Sequence, residues 1–281
     1  MIQTLISAIR RFFFLPDDTP STEPLDKQSR QFLNNTVSFY RALTDEEKLT
    51  FEKRALLFLH TTQVIGHDVE ITDEDCLLIA SAAIILVWKF PRWHYVNLDT
   101  VYLVSGAFND QADLGKHDSH NLGVVGNGAL YGKMILSKPA LHYGFSNDQD
   151  KHNVALHEFA HLLDMADGDA DGFPERMKEF AFSAPWINLV RQETQKIHEQ
   201  KSNINPYAST NHVEFFAVAT EYFFEQPKHL KNTHPDIYQH LESFYQHDVA
   251  AIETSILPRK KSPCPCGSGK RYKRCCLIKL D

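Results

Sequence analysis

His157-Glu158-Phe159-Ala160-His161 is the stretch on which the reading of this chain turns. Two histidines four apart on a helix lie one turn from each other and about 40° apart around its axis, so both imidazoles can face one metal ion. Glu158 projects beside that face, where it reaches a metal-bound water without itself ligating. H-E-x-x-H on a helix is the zinc-peptidase arrangement, two His ligands with Glu as general base. Asn153-Val154-Ala155-Leu156 before the motif and Leu162-Leu163 after it supply apolar residues, as on a helix buried in a core. The competing reading, two solvated histidines, fits poorly with so little of the helix polar.

A chain of 281 residues with 43% hydrophobic content can bury one large core, or one core plus a small appendage. Its net charge of -7 is unevenly spread. From Pro258 onward eight Lys/Arg face one acid, while the rest carries 21 Lys/Arg against 35 acids. Four of the five cysteines also lie in that basic end, a pattern unlike a disulfide-stapled secreted domain and suited to a reducing, cytoplasmic compartment. At the other end, the apolar stretch Met1 to Ile9 precedes Arg10 and Arg11 instead of following them, which argues against a cleaved leader. Residues 1–25 are expected to be an amphipathic segment and a proline-containing connector, with contact to a membrane surface as an alternative.

Helical spacing runs from Asp26 to about His60, with Thr44-Asp45-Glu46-Glu47 as an internal start signal. Thr72-Asp73-Glu74-Asp75 caps a second helix, Cys76 to about Phe90, apolar but too short to span a bilayer; Cys76 reads as a packed thiol. After Pro91 the pattern changes. Thr100–Val104, Ala129–Leu136 and Ala140–Phe145 read as strands of a small mixed sheet, with Lys133–Ser137 as the edge open to an extended peptide. The fold class expected is α+β, a mostly helical zincin-like domain over residues 26–257. Asp167 to Gly172 matches the first half of a calcium loop, but Lys178 stands where the bidentate Glu belongs, so it reads as a turn.

A catalytic zinc needs a third protein ligand and an open position. Asp164 shares the face of His161, but one helix rarely offers three tetrahedral ligands, so it is assigned to orienting an imidazole. His212 to Phe224 is strongly apolar, with Glu214 and Glu221 on one stripe, and a buried carboxylate is costly unless paired or ligated. Spacing alone leaves a second reading open: a solvent stripe of Glu214, Glu221 and Glu225, with Glu214 closing a capping box on Asn211. Tyr207, seven residues before Glu214, could donate to a developing oxyanion or simply pack.

Taken together, His157–Asp164, Tyr207-Ala208-Ser209, Glu214–Val218 and Glu221–Phe224 resemble the Mlc titration factor A family of zinc peptidases. Phe58-Leu59-His60, Ile71–Glu74 and Gly123-Val124-Val125 resemble its upstream segments, so the likeness spans roughly Leu43 to His247. The family's fold is similar to the catalytic domain of anthrax lethal factor, which also places a Tyr seven residues before its ligating Glu. The resemblance implies Glu214 as third ligand, Glu158 as base, Tyr207 as transition-state donor and Glu221 behind a ligand. One departure is visible: the family pattern has a His after Gly-Val-Val, and Gly126 stands there, with His117 and His120 nearby.

Cys264, Cys266, Cys275 and Cys276 form a C-x-C-x8-C-C pattern, enough for a closed, structural four-thiolate zinc site. It is similar to the SEC-C motif, which implies docking on a protein or ribosomal partner; residues 258–281 are thus a linker and zinc module. The whole reads as a zinc peptidase acting on a peptide or protein substrate, with one catalytic and one structural zinc. The rival is a regulatory protein that sequesters a transcription regulator.

Overall fold

The computed structural model describes residues 25–109, 121–126, 130–146, 150–174 and 183–251, with Arg271 and Arg274. The N-terminal amphipathic segment, His117, His120, Lys178 and the four tail cysteines lie outside these residues. Among the described residues no helix is long and apolar enough to cross a membrane.

The helical stretch after Asp26 divides into three. Asp26 caps α1 (Lys27–Thr36) by accepting from Ser29 N at 2.7 Å. Val37, extended and buried, separates it from α2 (Ser38–Ala42). Thr44 and Glu47 form the capping box that starts α3 (Asp45–Thr61). Buried Glu52 ties the three together, accepting from Arg30 at 2.8 Å and from Tyr40 Oη at 2.7 Å. A second capping box, Thr72 with Asp75, starts α4 (Asp73–Leu86), buried from Asp75 to Leu86 and hence the central helix of the domain.

Four strands form one mixed sheet: β1 (Gln63–His67), β2 (Leu98–Val104), β3 (Gly123–Val125) and β4 (Gly132–Ser137), in spatial order β1-β2-β4-β3. The first three neighbours run parallel and β3 pairs antiparallel with β4, Val124 opposite Ile135. Two expectations are corrected here. The edge toward the helix that carries His157 and His161 is β3, not Lys133–Ser137, which lies between β2 and β3. Ala140–Phe145 belongs to helix α5 (Lys138–Ser146) instead of a strand. Pro139 sits in its first turn, where a missing N–H costs nothing, and Leu141, Gly144 and Phe145 are buried at helical spacing.

The remaining helices are α6 (Val154–Asp164), α7 (Ser183–His198), α8 (His212–Glu225), α9 (Pro227–Thr233) and α10 (Pro235–Tyr245), with single 3-10 turns at Met165–Asp167 and Pro206–Ser209. One continuous apolar cluster, from Leu25 to Ala250, holds all of them together. Within it Phe159 of α6 packs edge-on against Phe58 of α3, and Phe215 of α8 against Trp186 of α7. Helices α6 and α8 are therefore fixed by their buried faces, leaving their polar faces to meet.

Candidate metal centre

Asn153 starts α6, its Oδ1 accepting Leu156 N at 3.2 Å. The Asn153 backbone N–H itself donates to Glu221 Oε2 at 2.7 Å, while Glu221 Oε1 lies 2.7 Å from His157 Nδ1. A carboxylate can only accept, so His157 carries its proton on Nδ1 and turns Nε2 forward. There Nε2 stands 3.0 Å from His161 Nε2 and 3.0 Å from Glu214 Oε2, with His161 Nε2 at 3.5 Å from the same oxygen.

Three ligating atoms thus face one point, each within 4.8 Å of the others. Donors about 2.0–2.1 Å from one tetrahedral zinc stand about 3.3 Å apart, which matches these separations. Electrostatics agree. Glu158, Glu214 and Glu221 surround two imidazoles in a largely buried pocket, an excess of negative charge that a divalent cation would offset. Burial pushes the His157 imidazole toward its neutral form, but Glu221 and then Glu214 outweigh it and hold its pKa well above the ordinary value. Burial likewise pushes the Glu214 carboxyl up, and the hydrogen bonds from His157 and His161 bring it down to about 2.

Glu158 lies 5% exposed, and burial raises its pKa against the opposing pull of His157 and His161. Its room comes from β3. A Cβ at Gly123 would stand 2.6 Å from Glu158 Oε1 and 2.6 Å from Val154 Cγ2, so no side chain fits there without moving one of them. Tyr207 sits on the 3-10 turn, its N–H accepted by Asn205 Oδ1 at 3.0 Å, and its half-exposed ring lies 6.0 Å from the His157 ring. Burial and then the Glu214 and Glu158 charges push its hydroxyl to about 12, which keeps it protonated.

The solvent-stripe reading of α8 is overturned, because Glu221 and Glu225 are both buried and Glu214 faces the imidazoles. Asn211 does cap α8, accepting Glu214 N at 2.9 Å. Asp164 has a different partner from the one expected: its Oδ2 accepts Gly172 N at 2.9 Å, holding the loop after α6 and no imidazole. That loop is a turn of Asx type, with Asp167 Oδ1 accepting Asp169 N and Asp171 Oδ1 accepting Phe173 N. Among the described residues, only Leu130 Cβ comes near the missing side chain of Gly126, and no fourth ligating group joins the cluster. Sequence reasoning did not find Asn153 or Gly123. Asn before an apolar helix is an N-cap signal, but nothing local announces its second bond to Glu221, 68 residues away.

Comparison with known proteins gives the chain its family. An uncharacterized protein of Synechocystis sp. is 33% identical over 235 residues, 79% of this chain and 84% of that protein. Mlc titration factor A of Serratia proteamaculans is 36% identical over 113 residues, 38% of this chain and 43% of that protein. Its Yersinia pestis counterpart is 31% identical over 150 residues, covering 50% of this chain and 54% of that protein. The SEC-C motif profile matches residues 261–277, the cysteine-rich end. The glucose-regulated metallo-peptidase M90 profile matches residues 17–246, which contain the whole candidate centre, and the chain belongs to that family.

Proposed function

We propose that the chain is a zinc-dependent peptidase of the H-E-x-x-H…E type, with His157, His161 and Glu214 as ligands and Glu158 as general base. The observation that carries this is the convergence of three ligating atoms beside a buried carboxylate that makes no bond to any of them. Bound zinc would supply a Lewis acid and a water of pKa near about 7. Glu158 takes the water's proton at its carboxylate, which a raised pKa favours, and then returns it to the leaving amine. Tyr207 keeps its proton and donates a hydrogen bond to the oxygen of the attacked carbonyl. Glu221 orients His157 from behind. The substrate main chain adds to the edge of β3. Cys264, Cys266, Cys275 and Cys276 hold a second, structural zinc in a module that docks on a protein or ribosomal partner, and the protein works in the cytoplasm.

Glu158→Gln is expected to abolish hydrolysis while zinc content stays at the parent value, since an amide takes no proton and Glu158 is no ligand. Tyr207→Phe is expected to lower kcat by about 10²–10³ with KM and zinc little changed. Loss of zinc in either variant would break these role assignments. The names of the Serratia and Yersinia relatives favour a second reading, in which the same surface sequesters a transcription regulator. Peptidase and binder separate on Glu158→Gln, which a binding role tolerates and hydrolysis does not.

A further inference from the structure

Helices α6 and α8 carry the three ligating groups, and a tie stands on either side of them. On one side the Asn153 N–H, which opens α6, donates to Glu221 Oε2 of α8 at 2.7 Å. On the other, Asp164 ends α6, His212 begins α8, and Gly172 from the loop after α6 stands between them. The Gly172 N–H donates to Asp164 Oδ2 at 2.9 Å, and its carbonyl accepts the Trp186 indole N–H at 3.1 Å. Its backbone is left-handed, with φ 74°. A Cβ there would stand 2.5 Å from the His212 carbonyl carbon and 3.0 Å from His212 Cβ, so the position admits only glycine. The neighbours of Gly172 reach the same helix start. Phe173 meets the His212 ring edge-on at 6.3 Å, and Trp186 packs on Phe215, the residue after Glu214, at 5.7 Å. Asp164 and Trp186 are fully buried.

Taking His157, His161 and Glu214 as the ligands, as proposed above, we infer that Asp164 and Gly172 are positioning residues for Glu214. They set the start of α8 at the distance from α6 at which its carboxylate meets the two imidazoles. Asp164 lies three residues beyond His161 on one helix, so regular helical geometry fixes it relative to the ligands. One buried hydrogen bond then fixes Gly172 to Asp164, and Gly172 meets the His212 backbone with no side chain between them. Glu214 follows two residues later in the same helix. A metal ligand must stand within about 0.2 Å of its place. Apolar burial is non-directional and does not by itself specify that distance, whereas a hydrogen bond followed by a backbone contact does.

Zinc competition with a chromophoric chelator and the visible absorption of the cobalt-loaded protein test this on the full chain. Spectra are taken as differences from the chain with His157 and His161 both replaced by Ala, which cancels any contribution from the cysteine-rich end. Asp164→Ala is expected to weaken the metal held by the imidazoles about 10–100-fold, the usual cost of losing a group behind a ligand, and to shift the cobalt bands as Glu214→Ala does. Asp164→Asn, whose side-chain carbonyl still accepts the Gly172 N–H, is expected to keep parent affinity and parent bands. Gly172→Ala is expected to match Asp164→Ala, because its Cβ displaces His212. Melting curves identify any variant that does not fold, and either of these two substitutions carries the test if the other fails. Parent-like affinity and bands in folded Asp164→Ala or Gly172→Ala overturn the positioning role and leave the ligands in place. Equal losses in Asp164→Ala and Asp164→Asn also overturn it, since they trace the effect to charge. Parent-like metal binding by Glu214→Ala overturns the ligand set, and the positioning role with it.

Discussion

Glu221 does two jobs with one carboxylate: it takes the Asn153 N–H that opens α6 and the His157 Nδ1 proton that aims a ligand. Replacing such a group behind a ligand costs about 10–100-fold in metal affinity. Glu221→Gln is accordingly expected to weaken zinc by that factor, measured by competition with a chromophoric chelator, without unfolding the domain; unchanged affinity would show that the ring is aimed by packing alone. Gly123 acts through space instead of through a bond. Gly123→Ala puts a methyl where Glu158 Oε1 and Val154 Cγ2 now stand, so the base must move. We expect kcat to fall by about 10²–10⁴, the ordinary contribution of general base catalysis, with zinc content unchanged. Parent-like turnover would mean that Glu158 has room to spare. At this scale the sequence was legible where chemistry follows helical period, as in His157, Glu158 and His161. It was not legible where it depends on an element arriving from elsewhere: spacing left Glu221 open between a buried and a solvent stripe, and Gly123 stood out only as part of a segment like the family's.

Elements were legible where their ends carry capping chemistry and opaque where tertiary contacts cut them. Thr44 and Thr72 announced α3 and α4 through side chains that bond their own neighbours. Val37 gave no such warning: its extended backbone is ordinary for a valine, and its burial between α1 and α2 is set by tertiary contacts. Strand β3, three residues long, is too short to carry an alternation. One helix pairing invites a pH test. Glu193 of α7 lies buried and accepts from Ser202 Oγ at 2.6 Å and Lys196 Nζ at 2.9 Å, with His234 Nδ1 at 3.2 Å just before α10. Burial raises its pKa, but those partners bring it from 4.5 down to about 2. The unfolded chain therefore binds this proton first as pH falls. The stabilisation is complete above about pH 4.5 and is lost between there and about pH 2, amounting to about 3 kcal/mol. Glu193→Gln is expected to be the less stable protein at pH 6 by urea midpoint and to lose much less on acidification to pH 3. Parallel losses in parent and variant would remove Glu193 from the account.

For the whole molecule, composition already divided the chain, since cysteines and positive charge crowd beyond Pro258 while the metal helix lies in an acidic body. Among the described residues the apolar cluster runs from Leu25 to Ala250. Two ligand sets that share no residue make metal content an additive property. On the function proposed above, the body supplies two imidazoles and a carboxylate and keeps a position for water, and the tail supplies four thiolates and keeps none. Full-length protein is expected to hold two zinc ions per chain by elemental analysis, and a chain ending at Leu257 to hold one. Its melting temperature with zinc should stay close to the parent's, because every described member of the apolar cluster is kept. Zinc in the shortened chain should disappear when His157 and His161 are both replaced by Ala, whereas in the full chain the same pair of substitutions should leave one ion on the cysteines. A shortened chain with two ions, or with none, would show that the two ligand sets depend on each other, and the division at Pro258 would be wrong.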